Sequence, residues 1–205
     1  TPSDLPLVAT RQSDIEQWEK RFPALEDVWP LTPLQSGFMF HSILAETSVD
    51  VYTSQVVLGL AGSVDGTRLR AAGEAVLTRY PNLRTAFVPD STGAAVQIVL
   101  DSVHLPWSEI DLTDAPDREA AYQDLLVEDR KNRFDLAQPP LMRFILVTLS
   151  EGEYRLVVTN HHILIDGWSG PLVLADLLAL YATGSTYTGT QPGGGDFGDH
   201  ARSIA

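Results

Sequence analysis

Apolar positions along the chain form short β-branched runs, separated by stretches in which they return every three or four residues. This is the pattern of strands interleaved with helices. Residues 52–60 are rich in β-branched side chains and predict a strand, and residues 64–80, with Leu69, Ala72, Val76 and Leu77 at helical spacing, predict a helix. Residues 83–89 and 95–99 are the next strand candidates, 119–134 a helix, and 141–149 and 154–160 two strands joined by the turn Ser150-Glu151-Gly152-Glu153. A helix from Ser169 or Gly170 to Tyr181 closes the series. Nearer the start, residues 13–22 predict a short helix because Ser13, Asp14 and Glu16 suit a first turn. Thr32 can cap a following helix with Pro33 in its first position, and Phe38 and Phe40 lie in the strongly apolar segment after it. No internal repeat is present.

Length and composition narrow the reading. The 205 residues carry 14 basic and 27 acidic side chains, a formal charge of −13, spread along the chain without a basic stripe. That argues against nucleic acid as a partner, since no lysine or arginine cluster can displace phosphate counterions. Hydrophobic residues at 44% and charged residues at 20% are those of an ordinary globular protein, with one domain the default at this length. The absence of cysteine excludes a disulfide scaffold, a thiol nucleophile and zinc thiolates, and fits a reducing compartment. No apolar run approaches the roughly 20 residues of a membrane span, and the first ten residues lack the features of a signal peptide. The expectation is a cytoplasmic protein without a membrane partner.

Residues 1–24 are polar and punctuated by proline, and are expected to be a linker leading into a domain that begins near residue 25. Residues 184–195 are rich in Gly, Ser and Thr, and residues 196–205 begin what reads as another helix, so the chain is expected to be truncated. The glycine run is no phosphate loop, because it lacks the Gly-Lys-Ser/Thr ending.

Reactive side chains gather in one segment, residues 161–169: His161, His162, Asp166, Gly167, Trp168 and Ser169, directly after the strand 154–160. Side chains alternate across a strand, so His161 and His162 should face opposite sides, which makes a shared metal ion a poor reading. The useful arrangement is one imidazole at the strand end, able to exchange protons near neutral pH. Asp166 would fix the loop through an ion pair or through backbone N–H groups, and Gly167 would permit a tight turn and close backbone approach. A buried histidine pair beside a capping aspartate fits the same residues.

Residues 161–169 also resemble the HHxxxDG signature of condensation domains from nonribosomal peptide synthetases, a branch of the chloramphenicol-acetyltransferase-like acyltransferases. Residues 29–41 resemble that family's opening motif, residues 77–87 its second, and residues 134–147 the segment before its active-site strand, all in order. Departures are small: Phe38-Met39-Phe40 stands where longer aliphatics are usual, and Tyr80 where histidine is frequent.

The resemblance implies an α/β fold, a two-layer sandwich of a mixed β-sheet with helices, forming one lobe of a V-shaped two-lobe domain. Residues 1–24 would be an intermodular linker and 25–205 the N-terminal lobe, without its C-terminal partner. It implies that His162 is the catalytic imidazole, His161 its support, Asp166 a structural anchor and Gly167 a point of close approach. Arg79 and Arg84 would be salt-bridged scaffold, Trp168 and Ser169 would pack and cap, and His41, His104 and His200 would take no part in chemistry. The implied reaction is peptide bond formation between donor and acceptor thioesters on the phosphopantetheine arms of upstream and downstream carrier domains, beside an adenylation domain. No directly bound cofactor or metal is implied, and the isolated lobe is expected to be inactive. The rivals are a coenzyme A-dependent acyltransferase of the same superfamily and a non-catalytic relative that recruits partners.

Overall fold

The structure is a computed structural model that describes residues 8, 11–44 and 51–184. The expected glycine-rich stretch beyond residue 184 and the helix at 196–205 lie outside the described residues, as does His200. The element order is α1 (Gln12–Arg21), β1 (Leu25–Pro30), α2 (Pro33–Leu44), β2 (Thr53–Ala61), α3 (Gly66–Arg79), a 3-10 turn (Pro81–Arg84), β3 (Thr85–Pro89), β4 (Ala95–Leu100), β5 (Trp107–Asp111), α4 (Arg118–Lys131), β6 (Met142–Ser150), β7 (Glu153–His161) and α5 (Ser169–Thr183).

The strands divide into two sheets. A small antiparallel sheet runs β1-β4-β3, and a larger one runs β2-β7-β6-β5, mixed because β5 lies parallel to β6 while the other pairs are antiparallel. In the small sheet Val28, Ile98 and Ala86 form one cross-strand row, fully buried beneath Ile15, Trp18 and Phe22 of α1 and its cap. Ile15, Trp18 and Phe22 recur at helical spacing, so α1 is amphipathic and its apolar face closes this core. Residues 12–21 form the helix expected over 13–22, and it is packed against this core. Strands β1 and β5 went unforeseen. Glu26 and Asp27 interrupt the apolar pattern of β1, and β5 is a short edge strand with Ser108 and Glu109 exposed.

Alternation along β6 and β7 gives the large sheet two different faces. Met142, Phe144, Leu146, Leu156 and Val158 turn toward α3 and α5, where Leu69, Leu77 and Leu177 complete the main core. Val147, Leu149 and Val157 turn the other way and meet Tyr122 of α4. That second face also holds a partly buried polar row. Gln55, Thr159 and Arg143 are cross-strand neighbours, and all three converge on Asp129 of α4. Its carboxylate accepts from Arg143 Nε at 2.6 Å, Gln55 Nε2 at 2.7 Å and Thr159 Oγ1 at 2.5 Å.

The Asp129 side chain is 4% exposed and that of Arg143 is 12% exposed, so removing the carboxylate strands a nearly buried guanidinium. Asp129→Ala should cost about 3–5 kcal/mol of stability in urea denaturation. A loss below about 1 kcal/mol would mean that solvent, not Asp129, satisfies this row.

Candidate functional site

The site is built where β7 ends. His161 is its last residue, paired with Thr53 of β2, and the backbone is held on both sides: His161 N–H donates to Leu141 O at 2.9 Å and His162 N–H to Tyr52 O at 2.8 Å. The side-chain alternation persists to this point, so the two imidazoles separate. His161 is completely buried, whereas His162 joins Asn160 and Val158 on the face toward α5. One ion cannot bind both rings, and no cluster of three or more potential metal-ligating side chains occurs among the described residues.

The hydrogen bonds assign the two rings opposite tautomers. His161 Nδ1 accepts from the backbone N–H of Ile163 at 3.1 Å, so in the neutral ring the proton resides on Nε2. His162 Nδ1 lies 3.4 Å from Ile165 O, an acceptor only, so this nitrogen carries the proton. The lone pair of neutral His162 is then on Nε2. His161 acts inward, as a brace for the turn, and His162 keeps one basic nitrogen for an outside partner.

His162 lines a cavity of about 270 Å³. Two cross-strand rows of the large sheet line it, Ser54–Asn160–Met142 and Val56–Val158–Phe144, together with Val173, Leu174 and Leu177 of α5. Apart from Ser54, Asn160, His162 and Asp166 the lining is apolar or glycine. Phe38 of α2 stands beside the histidine, with ring centroids 6.5 Å apart, and packs on Tyr52 at 4.8 Å.

Asp166 caps α5. Its Oδ1 accepts from Ser169 N–H at 2.7 Å and Trp168 N–H at 3.1 Å, and its carbonyl accepts from Gly170 N–H at 3.2 Å. Of the two ways this residue could hold the loop, backbone N–H groups are the one realised, and the carboxylate sits in an exposed residue. The Ser169 N–H, and secondarily its hydroxyl, hold the Asp166 carboxyl below the usual carboxylate range. The cap is thus Asp166 and not Ser169, and Trp168 is 89% exposed, which corrects the packing and capping expected of those two residues.

Gly167 also lines the cavity, but its φ lies in the ordinary range and an added Cβ would meet no atom within 4 Å. The tight turn expected to need this glycine does not need it, and open space remains beside it. Arg79 lies 3.2 Å from Asp176 of α5, and Tyr80 O–H donates to the same carboxylate oxygen at 2.5 Å. Burial, reinforced by Asp176, pushes the Tyr80 phenol up to about 12. Arg84 is buried, 3.2 Å from Glu26, and also donates to the carbonyls of Leu100 and Asp101. His41 and His104 are exposed and away from the cavity lining.

Residues 25–204 match the family described as "Condensation domain". The chain belongs to the condensation-domain family. It is 38% identical over 183 residues to a linear gramicidin synthase of Brevibacillus parabrevis, covering 88% of this chain and 2% of that protein. Bacitracin synthase 3 of Bacillus licheniformis is 33% identical over 184 residues, with 88% and 3% covered. Among solved structures, the starter condensation domain of rhizomide synthetase superposes with a TM-score of 0.78 at 22% identity, over 87% of this chain and 45% of that one. The first condensation domain of the CDA synthetase gives 0.75 at 22% identity, over 86% and 45%. The chain therefore spans a few per cent of the synthetases it matches and under half of each solved domain.

In this condensation-domain chain the motif-like segments converge in space. Residues 29–41 bring Phe38 and Gln35 to the His162 turn, residues 77–87 bring Asn82 to it while Arg79 and Arg84 pair elsewhere, and residues 134–147 bring Met142 and Phe144 to the cavity. Gln35, Asn82, Gln97 and Asp176 were not anticipated as site residues. Gln97 within an apolar strand and Asp176 within an apolar helix were visible signals, because such side chains require buried partners.

Asp166→Ala should remove the α5 cap and cost about 1 kcal/mol in urea denaturation, whereas Asp166→Asn, which keeps an acceptor, should cost a few tenths. Because the folded carboxyl is depressed, the stabilisation is present in full above the ordinary carboxylate value near pH 4 and is lost as pH falls through the lower folded value. The gap between the parent and Asp166→Asn should therefore close in acid. A gap constant from pH 7 to pH 2 would rule out the charged cap.

Proposed function

We propose that residues 25–205 form the N-terminal lobe of a condensation domain that makes peptide bonds in nonribosomal peptide synthesis. The amine of an acceptor aminoacyl thioester attacks the carbonyl carbon of a donor acyl or peptidyl thioester. A C–N bond forms, the C–S bond breaks, the thiol leaves, and the amine loses one proton. Both substrates arrive on phosphopantetheine arms of upstream and downstream carrier domains in a module that includes an adenylation domain. The chain needs no cofactor of its own for this step.

The observation that carries this reading is the presentation of His162. Its Nδ1–H is occupied by Ile165 O, and its ring lines an apolar cavity. A neutral Nε2 there can hold the attacking amine through its N–H, and can accept its proton as the zwitterionic tetrahedral intermediate forms. Asp166, committed to the α5 backbone, takes no proton in this scheme. His161 braces the turn, Gly167 leaves room for the incoming thioester, and Arg79 and Arg84 hold the surrounding elements together. The second lobe supplies the opposite wall, so this lobe alone should be inactive.

In the complete synthetase with both carriers loaded, His162→Ala should slow single-turnover amide formation by roughly 10² to 10⁴ with the fold intact. His161→Ala should act mainly through stability. A folded His161→Ala variant that no longer transfers, beside a His162→Ala variant at the parent rate, would reverse the assignment. Efficient transfer from an acyl-coenzyme A, with no response to a loaded donor carrier, would point to the acyltransferase reading instead.

A further inference from the structure

The turn that carries His162 is irregular, and most of it is buried. Ile163, Leu164 and Ile165 are all buried. Their carbonyls have no strand or helix partner, so each must find a donor elsewhere. The three donors come from three places. Ile163 O accepts from Gln35 Nε2 at 3.1 Å, Leu164 O from Asn82 Nδ2 at 3.1 Å, and Ile165 O from His162 Nδ1 itself.

Gln35 is anchored from every side. Its amide oxygen accepts from Thr32 N–H at 2.9 Å, while Thr32 Oγ1 accepts from Gln35 N–H at 3.2 Å, a reciprocal capping box at the start of α2. The same amide pairs with Gln97 of β4, itself fully buried and donating to Pro30 O at 2.8 Å. All four hydrogen-bonding positions of the Gln35 amide are thereby used. Asn82 sits in the 3-10 turn between α3 and β3, whose backbone is fixed at both ends: Leu83 N–H donates to Tyr80 O at 2.9 Å, and Thr85 Oγ1 to Asn82 O at 2.9 Å. Two rigidly mounted amides thus hold two successive peptide planes, and the next carbonyl in line sets the direction of the His162 ring.

We propose that Gln35 and Asn82 are positioning residues for the His162 imidazole, acting through the carbonyls of Ile163 and Leu164. This rests on the reading that His162 carries the chemistry. With either donor removed, the turn is free to rotate Ile165 O away, and His162 loses the bond that fixes both its tautomer and its direction. Small displacements of this kind act on the rate and not on substrate affinity.

The test uses the complete synthetase. Asn82→Ala removes the donor, and Asn82→Asp puts an acceptor in its place. Gln35→Glu keeps the acceptor for Thr32 N–H but loses the donor for Ile163 O, and serves as the independent second variant if the Asn82 variants do not fold. Amide hydrogen exchange in a peptide covering residues 161–166 should accelerate about three- to tenfold, the equivalent of one lost hydrogen bond. Single-turnover transfer should fall by about 10- to 100-fold, in the order parent, Asn82→Ala, Asn82→Asp, with half-saturation by the loaded acceptor carrier unchanged. In the double variant with His162→Ala, transfer should be no slower than in His162→Ala alone.

Parent-like transfer in Asn82→Asp, a rise in half-saturation that accounts for the whole loss, or losses that multiply in the double variant would each overturn the proposal. If His162→Ala itself transfers at the parent rate, the catalytic reading falls separately. The exchange measurement then decides the clamp alone: acceleration supports it, and parent-like exchange removes it.

Discussion

A chain that leaves a buried strand without entering a helix must find partners for each peptide group it keeps from water. That requirement, applied to the residues after β7, organises this molecule. Strand pairing ends at His161, α5 begins at Ser169, and between them the buried carbonyls of Ile163, Leu164 and Ile165 draw donors from α2, from the 3-10 turn and from His162. An imidazole held by its own turn is directed without any bond from Nε2. The remainder of the fold brings those donors within reach.

The large sheet keeps two kinds of polarity apart. On the α4 side, Gln55, Thr159 and Arg143 are neutralised around Asp129, a closed arrangement with structural consequences. On the α5 side, the corresponding rows are mostly apolar and end at Ser54, Asn160 and His162, beside open volume. A single residue's alternation at the end of β7 decides which imidazole belongs to which side. The doubled histidine is thus two functions in adjacent positions: His161 accepts from the turn at Nδ1, and His162 donates to it from Nδ1.

Much of this was legible in the sequence wherever periodicity was strong. β2, α3, β6, β7 and α5 follow from apolar spacing, and the separation of the two histidines follows from alternation alone. Weakly patterned elements were lost: β1 carries two adjacent carboxylates, and β5 is a short edge. The role of Asp166 was legible only as two alternatives, and the choice needed coordinates because an ion pair and a helix cap call for the same residue. Gln35 and Asn82 were hidden for a different reason. Their partners are backbone carbonyls 128 and 82 residues away, which have no sequence signature. The family resemblance singled out His162, which lines the cavity, but no motif announces which side-chain amides support a turn.

The central claim is that the turn fixes His162 with its proton on Nδ1 and its lone pair on Nε2, while His161 has the reverse arrangement. Nitrogen-15 chemical shifts of the imidazole rings, recorded on histidine-labelled protein above the ordinary imidazole titration range, read this directly. The account predicts a protonated-type Nδ1 and a lone-pair-type Nε2 for His162, with the opposite assignment for His161. A His162 ring protonated at Nε2, or averaging between its tautomers, would contradict it.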